Sequence, residues 1–92
     1  MSDDLNAQFS KAGEAVKTLS KEPDAGDKLT LYALFKQGTK GDCSGDRPGM
    51  MDFVGRAKYD AWKGLAGVSQ DDAKQKYIQT VESMLSAEGR SL

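Results

Sequence analysis

Apolar residues near the start of the chain recur at alternating intervals of four and three positions, which is the spacing of one face of an amphipathic helix. The stripe comprises Leu5, Phe9, Ala12, Val16 and Leu19. Residues 20–23 interrupt this spacing and finish with a proline, so the first helix is predicted to end before them.

A second helix is predicted from Asp24 to Gly41. Asp24 is a typical N-cap residue, and Asp27 adds an acidic charge in the first turn, where the helix dipole favours it. The apolar positions form two adjoining stripes, one with Leu29, Tyr32 and Lys36 and the other with Leu31, Leu34 and Phe35. This width indicates a helix that contacts neighbours on more than one side.

Turn-forming residues fill positions 41–49, and a third helix is predicted after them. Asp52 is its expected N-cap and Gly67 its expected C-terminal cap. The residues expected to face inwards are Ala57, Ala61, Trp62 and Leu65.

The motif from Ser69 to Asp72 resembles a capping box and predicts the start of a fourth helix. Its buried face would carry Ala73, Tyr77, Val81, Met84 and Leu85. The chain has no strand pattern, repeat or low-complexity segment. The sequence therefore predicts an all-α bundle in a single domain of residues 1–92.

Loop lengths limit how the helices connect. A helix over residues 24–40 would be roughly 25 Å long, and the loop of about a dozen residues after it spans up to about 40 Å when extended. The third helix can therefore run parallel to the second, whereas the two short connections favour antiparallel neighbours. An up-down-down-up order is allowed, although loop length alone does not require it.

Composition limits the class of protein. Ninety-two residues with 38% apolar and 29% charged content are typical of a small soluble domain. The Met-Ser-Asp-Asp start is unlike a secretory signal, and no apolar run is long enough to cross a bilayer. The single cysteine, Cys43, is compatible with a reducing compartment. We expect a cytoplasmic protein.

Several kinds of chemistry are excluded or disfavoured. The chain has no histidine, so a histidine-based catalytic triad and histidine-ligated metal sites are impossible. Cys43 has no histidine partner and is a poor nucleophile candidate. The net charge of −1 argues against general nucleic-acid binding. We expect no enzyme activity, no metal and no cofactor, and an anionic ligand would need a local cluster of lysines.

Lys36 is one candidate for such a lysine, because Tyr32 lies four residues before it on the same helix face. An aromatic ring beside a cation suits a ligand with a flat ring and a phosphate group. Each residue also has an ordinary interpretation: Tyr32 and Tyr77 as rim residues of the core, and Lys36 and Lys58 as solvated surface lysines.

Three motifs in order resemble the acyl-CoA-binding protein family. They are Leu31-Tyr32-Ala33-Leu34-Phe35-Lys36-Gln37 followed by Gly41-Asp42, Arg47-Pro48-Gly49-Met50-Met51-Asp52-Phe53, and Ala57-Lys58-Tyr59-Asp60-Ala61-Trp62. The resemblance extends from Phe9 to about Leu85. It implies a skewed up-down-down-up four-helix bundle that binds long-chain acyl-CoA thioesters without changing them.

The resemblance also implies a set of ligand-binding residues. Tyr32 and Lys36 correspond to the family residues at the adenine ring and the ribose 3′-phosphate, Lys58 to a second phosphate-binding lysine, and Trp62 to a structural tryptophan. The complete candidate set for acyl-CoA is Lys17, Tyr32, Phe35, Lys36, Lys58 and Tyr77. The candidates for the acyl-chain groove are Ala12, Gly13 and Leu29.

The chain departs from the family pattern at four positions. Phe35 lacks the hydroxyl of the usual tyrosine, Tyr59 replaces a common tryptophan, and Val54 occupies a position that is often lysine. Gly13 replaces a small alanine and could widen the acyl groove. These changes bear on affinity and chain-length preference rather than on the binding mode.

Two functions from different classes follow. The first is a monomeric, non-enzymatic carrier that sequesters medium- to long-chain fatty acyl-CoA and delivers it to lipid metabolism, to acyl-CoA-using enzymes or through transient membrane contact. The alternative is a helical protein-interaction or signalling module. A third possibility, an acyl-CoA hydrolase or transferase, lacks a plausible base.

Overall fold

The computed structural model describes residues 2–92, and all of the regular structure in that range is α-helical. The helices are α1 (Ser2–Val16), α2 (Ala25–Lys40), α3 (Phe53–Lys63) and α4 (Gln70–Ser86). The prediction of four helices without strands is confirmed for this range.

Three helices begin at the capping residues that the sequence predicts. The side-chain oxygens of Asp24, Asp52 and Ser69 each accept a hydrogen bond from the backbone N–H three residues further on, at 2.8, 2.9 and 3.0 Å. Each bond satisfies one of the N–H groups that a helix start leaves without an intrahelical partner.

Two helix ends differ from the predictions. α1 ends at Val16, so Leu19 lies beyond the helix although it continues the apolar stripe. α3 ends at Lys63 with Gly64 as its C-cap, so the prediction of Gly67 as that cap is wrong. After α3 the backbone forms hydrogen bonds between residues three apart, as in a 3₁₀ turn. Gly67, with φ of 89°, lies at the end of this turn, shortly before Ser69.

Helices α1 and α4 run parallel. Lys74, near the start of α4, donates a hydrogen bond to Asn6 near the start of α1 at 2.6 Å. Beyond the far ends of both helices, Arg90 donates to the carbonyl of Thr18 at 3.0 Å. The start of α4 thus lies beside the start of α1, and the end of α4 beside the end of α1, so the two helices point the same way.

Helices α2 and α3 also run parallel, because Tyr32 lies level with Lys58 and Lys36 level with Trp62. Helix α4 runs antiparallel to α2, since its first residue, Gln70, bonds to the carbonyl of Gly38 near the end of α2. The order up-down-down-up, which loop length only allowed, is therefore confirmed.

The core lies between α1, α2 and α4. Its buried members are Phe9, Ala12, Leu31, Leu34, Ala73, Tyr77, Ile78, Val81 and Leu85. Helix α2 contacts both α3 and α4, as its two apolar stripes predicted. Within residues 2–92, helix α3 packs on α2 alone and has no fully buried residue. Its predicted inward positions Ala57, Ala61 and Trp62 are therefore half-buried, as is Leu65, which lies beyond the end of α3.

A polar cluster around the buried side chain of Gln37 joins the end of α2 to the loops on either side of α3. The side chain of Gln37 is fully buried and donates to Asp42 at 2.8 Å and to the carbonyl of Val68 at 2.7 Å. The same Asp42 oxygen accepts from the backbone N–H of Gly67 at 3.0 Å. These bonds fix both loops relative to α2, and the sequence analysis did not anticipate them.

The polar cluster predicts a change in acid stability. The N–H of Gly67, followed by the Gln37 amide, lowers the pKa of Asp42 below its ordinary value of 3.8. Ionised Asp42 therefore contributes stability above the unfolded-state pKa, and this contribution disappears as the pH falls through the lower folded-state pKa. In Asp42→Asn, we expect the free energy of unfolding to decline less steeply between about pH 5 and pH 2.

Urea unfolding at a series of pH values measures this effect. Asp46→Asn removes a carboxylate from the same loop and is the matched control. An Asp42→Asn variant whose acid dependence equals that of the wild type and the control would contradict the prediction.

Candidate functional site

Two lysines from different helices converge on one aromatic ring. The Lys58 ammonium lies 5.2 Å from the centre of the Tyr32 ring, and the Lys36 ammonium lies 5.7 Å from the same centre. Lys36 is also 5.8 Å from the ring of Trp62. These distances fall within the range of cation–π contacts. The parallel arrangement of α2 and α3 therefore brings together three residues that are 4 to 26 positions apart in the sequence.

Neither of these ammonium groups forms a salt bridge with a carboxylate of residues 2–92, although four ion pairs occur elsewhere in that range. Two like charges that share a ring repel each other. A bound anion, above all a dianion, would offset this repulsion and form charge-assisted hydrogen bonds with both groups. The arrangement is suited to a phosphate.

Contacts from the loop between α2 and α3 hold α3 in position. The indole of Trp62 donates to the carbonyl of Gly41 at 2.8 Å, and the Tyr59 hydroxyl donates to the carbonyl of Gly45 at 2.9 Å. Arg47 also forms a forked pair of bonds, at 2.9 and 2.6 Å, with the carboxylate of Asp60. The contacts restrict rotation of α3 about its axis, so Lys58 stays on the side that faces Tyr32.

An open groove runs between α1 and α2. It consists of two adjoining cavities of about 630 and 680 Å³, which share the residues Val16, Lys17, Phe35 and Tyr77. We call this the interhelical groove. Tyr32 lines the first cavity and Gly13 the second. Tyr32 therefore connects the lysine pair to the groove, while Lys36 and Lys58 lie outside the groove lining.

Aromatic rings bridge α1 and α2, whose backbones do not pack directly in the described range. Phe9 stacks on Phe35 with ring centres 5.4 Å apart, and the edge of Tyr77 meets Phe9 at 5.1 Å. Phe35 is 42% exposed and Tyr77 only 4%. The rings give the groove an apolar surface, and burial raises the pKa of the Tyr77 hydroxyl.

Comparison with known proteins identifies this combination of fold and site. The family model described as acyl CoA binding protein matches residues 6–81. The chain belongs to the acyl-CoA-binding protein family. The match includes the lysine pair, Tyr32 and all the residues shared by the two cavities of the groove.

Relatives support the family assignment over most of the chain. Acyl-CoA-binding protein homolog 1 of Caenorhabditis elegans is 44% identical over 85 residues, which cover 92% of this chain and 99% of that protein. The crystal structure of Oryza sativa Acyl-CoA-Binding Protein 2 superposes with a TM-score of 0.90 at 38% identity and covers 96% of both chains.

The same domain also occurs within a longer relative. Enoyl-CoA delta isomerase 2 of Rattus norvegicus is 44% identical over 79 residues, which cover 86% of this chain but only 20% of that protein. Membership of the acyl-CoA-binding protein family alone therefore does not decide whether a complete protein is an enzyme.

The structure separates the three residues that were expected to form the acyl groove. Gly13 lines the interhelical groove, but Ala12 is fully buried in the core and lines neither cavity. Leu29 lines a different cavity of about 420 Å³, between α2, α3 and α4. Successive helical residues differ by about 100° in direction, so Ala12 turns towards α4 and Leu29 away from α1. Neither lines the interhelical groove, and their contact with an acyl chain stays a prediction.

The sequence analysis missed Phe9 as a groove residue. Its place on the apolar stripe of α1 indicated a core position, and it is indeed only 7% exposed. Its ring nevertheless lines the second cavity and stacks on Phe35. The remaining residue of the expected set, Lys17, lies at the junction of the two cavities and is paired loosely with Glu14 at 3.9 Å.

Gly13 allows a test of the second cavity. A Cβ atom added there would meet only the Tyr77 hydroxyl, at 3.9 Å, so alanine fits without a clash. Alanine also favours the helix by about 1 kcal/mol over glycine. We expect Gly13→Ala to raise the free energy of unfolding by about that amount.

Urea unfolding measures this gain. Gly26→Ala, in the first turn of α2 and far from the second cavity, is the control. A destabilised Gly13→Ala variant would indicate that α1 approaches Tyr77 more closely than the structure shows.

Proposed function

We propose that this protein binds medium- to long-chain fatty acyl-CoA thioesters, sequesters them and delivers them to lipid metabolism. The observation that carries the proposal is the position of the Lys36 and Lys58 ammonium groups over Tyr32, a residue that also lines an apolar groove. Acyl-CoA has the complementary parts: a phosphorylated nucleotide at one end and an apolar chain at the other.

The nucleotide would occupy the charged end of the site. Adenine stacks well on an aromatic ring, with about 1–3 kcal/mol per base in nucleic-acid complexes, and Tyr32 offers such a ring beside the two lysines. Lys36 and Lys58 would bind the 3′-phosphate of the ribose. Because lysine is a flexible point charge, this site would select for negative charge rather than for a planar shape.

The acyl chain would lie in the interhelical groove, against the rings of Phe35 and Tyr77. Each methylene transferred from water to an apolar surface contributes up to about 0.8 kcal/mol. Lys17, at the junction of the two cavities, would interact with the polar part of the ligand between the nucleotide and the chain. Phe35 can supply contact area but no hydrogen bond.

We further propose that residues 1–92 act as one domain, as a monomer, in the cytoplasm and without catalysis. No helix in residues 2–92 is long and apolar enough to span a bilayer. The absence of histidine removes the commonest general base. Chromatographic recovery of intact palmitoyl-CoA after long incubation with the protein supports the non-catalytic part, whereas release of free CoA overturns it.

Calorimetric titration with a series of saturated acyl-CoA thioesters tests the proposed function. We expect affinity to rise by up to about fourfold per added methylene, the equivalent of 0.8 kcal/mol, until the groove is filled. Free CoA and free palmitate, which each offer half of the ligand, should bind far more weakly than palmitoyl-CoA.

Equal affinity at every chain length would contradict the use of the groove. If no thioester binds at all, the alternative of a helical protein-interaction module becomes the better explanation. That alternative gives no reason for two lysines to converge on one ring beside a groove.

A further inference from the structure

The turn between α1 and α2 forms the end wall of the first cavity of the interhelical groove. Leu19, Ser20, Glu22 and Pro23 from this turn line the cavity together with Lys28 of α2. Glu22 and Lys28 form an ion pair across that end. The position of the turn therefore sets how far the cavity extends away from Tyr32.

Side chains from beyond α4 hold this turn. One carboxylate oxygen of Glu88 accepts the backbone N–H groups of Ser20 at 2.9 Å and Lys21 at 3.3 Å. Arg90 donates to the carbonyl of Thr18 at 3.0 Å and to its hydroxyl at 2.7 Å. These bonds join residues that are 67 to 72 positions apart in the sequence.

Glu88 and Arg90, which we together call the clamp, are themselves held in a fixed geometry. The chain leaves α4 through Gly89, whose φ of 72° suits glycine, and the Arg90 N–H returns to the carbonyl of Leu85 at 2.8 Å. The Arg90 guanidinium also pairs with Glu88 at 3.2 Å. Burial alone would raise the pKa of Glu88, but the N–H groups of Lys21 and Ser20 and the Arg90 side chain together lower it. The carboxylate is therefore charged at neutral pH.

We propose that Glu88 and Arg90 are positioning residues that set the longest acyl chain the groove accepts. They do so by fixing the turn at its end wall. The inference rests on the proposed function, because it concerns the chain of a bound acyl-CoA. Lys36 and Lys58, which would bind the nucleotide, are not among the hydrogen-bond partners of Glu88 and Arg90 in residues 2–92. The clamp should therefore affect only chains long enough to reach the wall.

The wall has a specific chemistry that makes its position matter. An acyl chain that reaches it meets a charged pair, Glu22 and Lys28, rather than further apolar surface. Additional methylenes then gain no burial and must stay in water, so affinity stops rising with length. When the turn is free to move, the pair can swing aside and the next methylenes can be buried.

Titrations of free CoA and of acyl-CoA with 8 to 20 carbons, comparing the wild type with Glu88→Ala/Arg90→Ala, test the proposal. We expect the double variant to bind free CoA, which has no acyl chain to reach the wall, within about twofold of the wild type. We expect the ratio of 20-carbon acyl-CoA affinity to free CoA affinity to rise by about fourfold, the value of one further buried methylene.

Two further variants separate positioning from general stability. Glu88→Gln keeps an acceptor oxygen for the Ser20 N–H and should restore most of the wild-type length profile. Lys76→Ala/Glu82→Gln removes one cation and one anion from exposed positions of α4 and should leave the profile unchanged. A uniform change of affinity at all lengths in the clamp variant, or an unchanged profile, overturns the proposal. Failure of the wild type to bind any acyl-CoA would instead overturn the proposed function.

Discussion

Lys36→Ala/Lys58→Ala should bind palmitoyl-CoA at least about 100-fold more weakly than the wild type. Hydrogen bonds to charged groups contribute about 1.5–3 kcal/mol each, so the loss of two gives about 3–6 kcal/mol. Thermal stability should hardly change, because Lys58 is exposed, Lys36 is only half-buried, and neither pairs with a carboxylate of residues 2–92. Removal of two like charges from one ring also relieves their repulsion.

Calorimetry with palmitoyl-CoA and thermal unfolding by circular dichroism give the two quantities. Lys63→Ala is the matched control, because it removes the same charge from α3. The Lys63 ammonium lies 5.6 Å from the Tyr59 ring and is not among the cations over Tyr32. We expect its affinity to stay within about threefold of the wild type, since exposed single charges act weakly. Unchanged binding in the double variant would disprove the site.

The helices could be predicted because their signals are local. Asp24, Asp52 and Ser69 act as caps through bonds that reach only three residues, so a short stretch of sequence contains both partners. The sequence analysis placed the end of α3 too late because two nearby glycines, Gly64 and Gly67, are both candidates for its C-cap. Gly64 ends the helix in a right-handed conformation, which any residue can adopt, while Gly67 has the positive φ that sequence rules associate with a cap.

The direction in which each helix runs, and how deeply it is buried, depend on contacts between residues that are distant in the sequence. The spacing of apolar positions carries no information about such contacts. The half-burial of α3 follows from its packing on α2 alone. The polar cluster around Gln37 joins residues 31 positions apart, and a buried glutamine gives no signal of its own in the sequence. Distant contacts of this kind also place Glu88 against the turn before α2.

The site was predictable only in part, for the same reason. Tyr32 and Lys36 share a face by helical spacing, so their proximity follows from the sequence alone. The addition of Lys58 needed the family resemblance, because the parallel pairing of α2 and α3 is not encoded locally. Leu29 shares the stripe of Tyr32 by helical spacing, but it lines a different cavity, between α2, α3 and α4.

Leu85→Ala should have the largest effect on stability. Leu85 is only 1% exposed and packs in the core between α1, α2 and α4. Truncation of a buried leucine to alanine costs about 2–5 kcal/mol, because both the transfer energy and the packing around the new cavity are lost. A domain of this size has about 5–15 kcal/mol in total, so we expect a loss of about 3 kcal/mol and a fall in Tm of roughly 12–24 °C.

The affinity of Leu85→Ala for palmitoyl-CoA should stay close to that of the wild type, because the core and the binding site are separate. Leu85 lines neither cavity of the interhelical groove and lies outside the ring contacts of Tyr32. At 15 °C, where the variant is still folded, its palmitoyl-CoA affinity should lie within about threefold of the wild type, since distant sites are usually independent. Met84→Ala, at the half-buried neighbouring position, should cost less stability. A fully folded Leu85→Ala variant that loses binding would mean that the core and the groove are one coupled unit, and that the lysine pair alone does not determine affinity.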